Sequence, residues 1–148
     1  DTSSLVKLFV AEPGTEEAIR LAETASGNLI FSSVLTRVEI RSAIAKKVRR
    51  QEIGREDAAF ALEQFERHWK TRLIRQPVSD PILDMACDLL DRHGLRAYDA
   101  IQLASCLALN KTAAVNSAAA FVCSDTHLND AAAAEGLSCL DPEESAAG

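Results

Sequence analysis

The sequence predicts an α/β fold, a mainly parallel sheet with helices on its faces, on three observations. Short apolar segments alternate with amphipathic ones along the whole chain, the order that builds a parallel sheet with helices on its faces. The helical segments carry start and stop signals at the right places. The 148 residues are 47% hydrophobic and 26% charged, enough for one proper core and one domain over 1–148, with no internal repeat or linker.

In chain order, "DTSSLVKLF" at 1–9 reads as the end of a strand turning into a helix. Such a sheet wants an apolar strand just before Asp1, so a few upstream residues are expected to precede it. Pro13, Gly14 and Thr15 followed by Glu16 and Glu17 mark a helix N-terminus, where acids are favoured by the dipole, and the helix runs near 15–25. Residues 29–32 are a strand, followed by helices near 34–51 and 55–70. A second strand covers 73–78. Asp80 then Pro81 reads as a cap and a first-turn proline for a helix over 81–93, which Gly94 ends. A helix over 97–110 is apolar nearly all round and therefore expected to be buried. The small-residue stretch 112–120 is a helix end or loop. Strands at 121–124 and 137–140 bracket a helix near 126–135, stopped by Gly136, and 142–148 is expected to be a loose tail.

Several classes drop out. No apolar run approaches the roughly 18 residues that cross a bilayer, and no signal segment opens the chain, so no membrane role is expected. A net charge of −6 argues against bulk coating of nucleic acid, though not against a nuclease that meets phosphate through metal. Cys87, Cys106, Cys123 and Cys139 show no zinc or redox spacing, and are expected to be buried free thiols in a reducing cytoplasm.

Four carboxylates stand in settings unlike those of surface acids. Asp1 precedes Thr2, Ser3 and Ser4 and an apolar run; its plain alternative is a helix cap. Glu39 lies in a basic helix, yet its neighbours one turn away are Leu35, Thr36, Ser42 and Ala43, so it lacks the usual cation partner; a solvated glutamate is the alternative. Asp99 is the sharpest, a charge in an apolar helix, sharing a narrow polar stripe with Gln102 and Cys106. Pairing with Arg96, or capping, would account for it otherwise. Asp125 closes the apolar run "FVCS" at a strand's carboxyl end, where open α/β sheets bind ligands, or else it caps the next helix. Two like charges about 6 Å apart repel by roughly 3 kcal/mol at an effective dielectric near 20. Acids gathered at one sheet edge must protonate or bind a cation, and hard oxygen ligands suit Mg²⁺ or Mn²⁺.

"DTSSLVKLF", "TRVEIRSA" at 36–43, "LRAYDAIQLASC" at 95–106 and "VCSD" at 122–125 together resemble the PIN-domain ribonucleases, and in order, spacing and length the VapC-type toxins of toxin–antitoxin pairs. The resemblance implies a PIN-like fold, a sheet of about five mainly parallel strands flanked by helices with its first strand truncated here. In it Asp1, Glu39, Asp99 and Asp125 hold one or two Mg²⁺ or Mn²⁺ ions and cleave RNA by metal-activated water, Glu39 and Asp125 either ligating or acting through water. Asp1 and Asp99 would be the most direct ligands, and Thr2 and Ser3 would orient the pocket. It also implies a cognate antitoxin, with a helix in a groove that the apolar surfaces of 5–10 and 34–48 would supply, and a homodimer. The chain departs from the family pattern at Cys123, where a threonine or serine is usual, and after Asp125, where Thr126 and His127 replace a common basic residue.

Arg37, Arg41, Lys46, Lys47, Arg49 and Arg50 crowd the helix that carries Glu39, and Arg37 and Arg41, one turn apart, are the expected RNA-facing pair. The rival readings are a non-catalytic PIN-like binding module and a doubly wound Mg²⁺ phosphatase, the latter lacking its second early aspartate in "DTSS". A Ser/His/Asp triad fits poorly, since the serines lack a glycine-framed elbow and His68 and His93 fall on helical segments.

Overall fold

The computed structural model describes residues 1–23, 27–112 and 119–144. Asp1 caps a single helical turn, α1 (Thr2–Leu5), which tightens into a 3-10 turn at Val6–Leu8. Then follow α2 (Thr15–Ala22), β1 (Ile30–Ser33), α3 (Thr36–Arg49), α4 (Arg55–Thr71), β2 (Leu73–Gln76), α5 (Asp80–His93), α6 (Ala97–Thr112), β3 (Ala120–Val122), α7 (Thr126–Ala134) and β4 (Ser138–Leu140). The alternation read from the sequence is present within a few residues at every described element. Ser79 rather than Asp80 caps α5, so Asp80 joins the acids and prolines of a first turn. Gly94 closes α5 in the left-handed region, as expected of a stop glycine. The expected stretch 24–25 of α2 and most of the loop after α6 lie outside the described residues.

The strands are parallel, but the expected five-stranded sheet is not what the described residues form. β1 pairs with β2, Ile30 opposite Leu73 through Ser33 opposite Gln76, and β3 pairs with β4, Ala120 opposite Ser138 through Val122 opposite Leu140. Strands of three or four residues carry too few ladder bonds to hold a wide sheet by themselves, and helices between the pairs take over the packing.

Two hydrophobic cores result. The first gathers Leu5 and Val6, Ile40 and Ile44 of α3, Ala61, Phe65 and Trp69 of α4, and Leu73. The second gathers Leu89 of α5, Leu103 and Ala104 of α6, Phe121, Cys123, and Leu128 and Ala132 of α7. Apolar residues of 5–10 are therefore largely interior: Leu5, Val6 and Val10 are buried, which corrects the expectation of a free groove there. On α3 it is Val34, just before the helix, and Val38 that remain exposed. The cysteines are free, as expected, but only Cys123 is buried; Cys87 faces solvent because it lies on the outer side of α5.

The chain's last described segment is not loose at its start. Pro142 is fully buried, and Glu143 accepts a hydrogen bond of 2.6 Å from the buried Lys7 ammonium. Gly14 makes this docking possible: it sits at φ +81°, and a Cβ there would stand 2.7 Å from both the carbonyl carbon and oxygen of Pro142. Residues 145–148 of the expected tail lie outside the described residues.

Candidate active site

Each of the four acids stands at the start of a helix. Asp1 caps α1, its Oδ2 accepting from Ser3 N at 2.8 Å. Asp125 caps α7, its Oδ1 accepting from Leu128 N at 3.1 Å. Glu39 is in the first turn of α3 and Asp99 in the first turn of α6. The partial positive charge of helix N-termini offsets some of the repulsion that these carboxylates bring. The capping alternatives for Asp1 and Asp125 are thus real, yet each cap uses one oxygen. The other oxygen of each has no hydrogen-bond partner among the described residues.

Glu39 is half-buried and held from two sides. Thr2 Oγ1 donates to its Oε2 at 2.9 Å, and Gln102 Nε2 donates to the same oxygen at 2.6 Å. The Gln102 nitrogen also faces Thr36 Oγ1 at 2.9 Å and Thr2 Oγ1 at 3.3 Å. Two N–H hydrogens cannot serve three acceptors fully, so the longest contact is the weakest. Because the carboxylate can only accept, the amide must turn its nitrogen toward Glu39. Gln102 lies on α6 in one core and reaches α1 and α3 in the other, so it stitches the seam between them.

Cys123 is the second joint. Its Sγ accepts from Asp125 N at 3.2 Å, lies 3.5 Å from Ser3 Oγ, and directs its hydrogen at Asp1 Oδ2 (3.7 Å) or at the Asp125 carbonyl (3.8 Å). Burial pushes the thiol's pKa up, which keeps it protonated between the two acids. Ser124 N donates to Ser3 Oγ at 2.9 Å, and the Asp1 nitrogen donates to Val122 O at 2.9 Å. Through these bonds α1 is fastened to the end of β3, which sets Asp1 beside Asp125.

Asp99 is the exception, since no hydrogen bond or ion pair engages its carboxylate among the described residues. Burial raises its pKa first, and the charges of Asp125 and Glu39 raise it further, while Arg96 and His127 act in the opposite direction. Neither the pairing with Arg96 nor a cap accounts for it. The charges of Asp125 and Glu39 both reach Asp99, which places the three in one electrostatic neighbourhood. They converge without closing up: among the described residues, no three acidic, cysteine or histidine side chains stand near enough to enclose an ion.

Of the other residues singled out from the sequence, Thr2 and Ser3 both face the acids, as above. Arg37 and Arg41 do lie together, but on Glu66 of α4. Arg37 makes a two-pronged contact at 3.1 and 3.0 Å, and Arg41 adds a bond at 2.7 Å. Gln102 had been visible in the sequence only as part of a polar stripe; its partners lie 63 to 100 residues away and no spacing discloses them.

A family model described as PIN domain matches residues 1–133. The chain belongs to the PIN-domain family. Over 110 residues this PIN domain is 33% identical to two proteins of Mycobacterium tuberculosis strains, ribonuclease VapC45 and ribonuclease VapC49, covering 74% of this chain and 74% of each relative. The likeness to VapC-type PIN domains read from the four motifs is matched by these relatives. As a PIN domain the fold is α/β, in keeping with its parallel strand pairs and flanking helices.

Proposed function

We propose that this PIN domain is an endoribonuclease dependent on Mg²⁺ or Mn²⁺, and the toxin of a toxin–antitoxin pair. The observation that carries the proposal is the placement of four carboxylates at four helix starts, with one oxygen each of Asp1 and Asp125 free of hydrogen bonds and no hydrogen bond or ion pair on the Asp99 carboxylate among the described residues. The donor set fits a hard divalent cation, since carboxylate oxygens without protein partners are what such ions take. Asp1, Glu39, Asp99 and Asp125 would hold it. Bound there, the ion would supply a water of lowered pKa and positive charge against the leaving oxygen.

The remaining work falls to the chain. Gln102 and Thr2 fix Oε2 of Glu39 and leave Oε1 without a hydrogen-bond partner among the described residues. Cys123 and Ser3, bonded to the helix starts of Asp125 and Asp1 and to each other, link those two acids. The half-burial of Asp99 excludes water that would otherwise screen its charge. RNA is the substrate supported by the ribonuclease relatives, and the same relatives support a cognate antitoxin, for which the exposed Val34 and Val38 offer apolar contact. A homodimer is part of the same proposal.

The spacing of the acids favours one rival, a non-catalytic PIN module, because no three side chains enclose an ion as they stand. One experiment separates the two. The purified chain is incubated with single-stranded and structured RNA in Mn²⁺ or in chelator, alongside Asp99→Asn, a change of charge with little change of shape. Cleavage that needs Mn²⁺ and disappears in the folded variant supports the enzyme. Full activity of Asp99→Asn, or no cleavage of any RNA by the unaltered chain, sinks it.

A further inference from the structure

A cavity of about 290 Å³ opens beside the acids, and nothing assigned so far uses it. Ser3, two residues after Asp1, and Ser124, next to Asp125, form part of its wall and touch each other through the Ser124 N to Ser3 Oγ bond. Lys7, Lys46, Lys47 and Arg50 line it against Glu12, Glu52 and Glu143, so cations outnumber acids. Lys47 is held between Glu12 and Glu52, and Arg50 stands 3.7 Å from Glu52. Lys46 has no ion pair among the described residues.

Lys7 is the unusual member. Its side chain is only 3% exposed, and its closest partner, Glu143, comes from the far end of the chain and is 45% exposed. The cation is fixed in the fold between Glu12, at 3.7 Å and 17% exposed, and Glu143, which is its solvent-facing partner. An anion with more than one charged oxygen would compete with the Glu143 side chain at the solvent-facing side of Lys7. The other basic pair near the site, Arg37 and Arg41, is already committed to Glu66.

We infer that this cavity is a subsite for a backbone phosphate of the RNA, adjacent to the one at the acids, with Lys7 and Lys46 as its cations and Glu143 as a built-in carboxylate competitor. The inference rests on the ribonuclease reading and adds to it where the strand runs: from the four acids past Ser3 and Ser124, toward the C-terminal half of α3. A polyanion approaching a chain of net charge −6 needs such a local cationic lodging to settle next to four carboxylates.

The test uses a fluorescent single-stranded RNA oligonucleotide and the full chain. Anisotropy is measured in chelator over a range of NaCl, and cleavage is measured separately in Mn²⁺. Lys46→Gln, at an exposed and unpaired position, is expected to weaken binding, flatten the salt dependence by about one unit of slope, and raise KM with kcat unchanged. Glu143→Gln is expected to tighten binding about two- to fivefold, the scale of one exposed charge. If the unaltered chain cleaves RNA and either variant binds it as the unaltered chain does, the subsite is wrong and the ribonuclease reading stands. If the unaltered chain neither binds nor cleaves RNA, both fall together.

Discussion

Replacing Gln102 with leucine isolates the seam from the acids themselves. The variant removes a bond to a charged acceptor at 2.6 Å and one to the fully buried Thr36 hydroxyl at 2.9 Å. A hydrogen bond to a charged group contributes about 1.5–3 kcal/mol and a neutral one about 0.5–1.5 kcal/mol. The added apolar burial of leucine returns about 1 kcal/mol. The net loss is about 2 kcal/mol, which in a domain of about 150 residues lowers Tm by about 4–8 °C. Gln102→Glu keeps the shape but sets a second carboxyl against Glu39. Both carboxyls of that pair would hold protons more tightly in the folded chain than in the unfolded one. Its stability is then greatest at low pH and is lost as pH rises through their raised folded pKa values. Calorimetric melts of the three proteins between pH 4 and about 8 give the readout. A leucine variant that melts with the unaltered chain, or a glutamate variant with no extra pH dependence, would show that the amide is not what joins the two cores.

Three further outcomes follow from the same geometry. Asp99→Asn should raise Tm in chelator, because it removes a half-buried charge repelled by Asp125 and Glu39, and on the ribonuclease reading it should lose the stabilisation expected from Mn²⁺; a lower Tm in chelator would contradict the electrostatics. Glu66→Gln releases Arg37 and Arg41. The two arginines hold the Glu66 pKa below the usual range, so the variant should be less stable at neutral pH, and the difference should vanish as pH falls through that lowered value, read from paired melts. On the ribonuclease reading it should also bind RNA more tightly. Gly14→Ala meets the Pro142 backbone at 2.7 Å in a left-handed conformation, whose strain alone costs about 1–2 kcal/mol, so its Tm should fall by several degrees; an unchanged melt would mean that the C-terminal segment does not dock as described.

What the sequence discloses here is what local chemistry controls. Apolar periodicity and the glycines at 94 and 136 locate the helices, because hydrogen bonds within a helix are set by neighbours in the chain. Asp99 stands out because a charge in "AYDAIQLASC" is expensive wherever the helix ends up. Pairing between distant segments leaves no such mark. Strand composition identifies four extended segments without saying that they form two separate parallel pairs. The basic spacing of Arg37 and Arg41 is visible, whereas Glu66, which occupies both, belongs to another helix. Pro142 and Glu143 look like the start of a polar tail until Gly14 and Lys7 are found beneath them.

The division into two cores has a mechanical consequence. Glu39 rides on one half of the molecule and Asp99 and Asp125 on the other, while Asp1 is bonded to the end of β3 and its helix packs into the first half, so a slight rotation of either half moves Glu39 relative to Asp99 and Asp125. Carboxylate spacing thereby becomes a gauge of how the halves are seated. Trimming Phe65 or Leu103, neither of which is among the acids or their direct partners, would be felt at the acids as a change of aim.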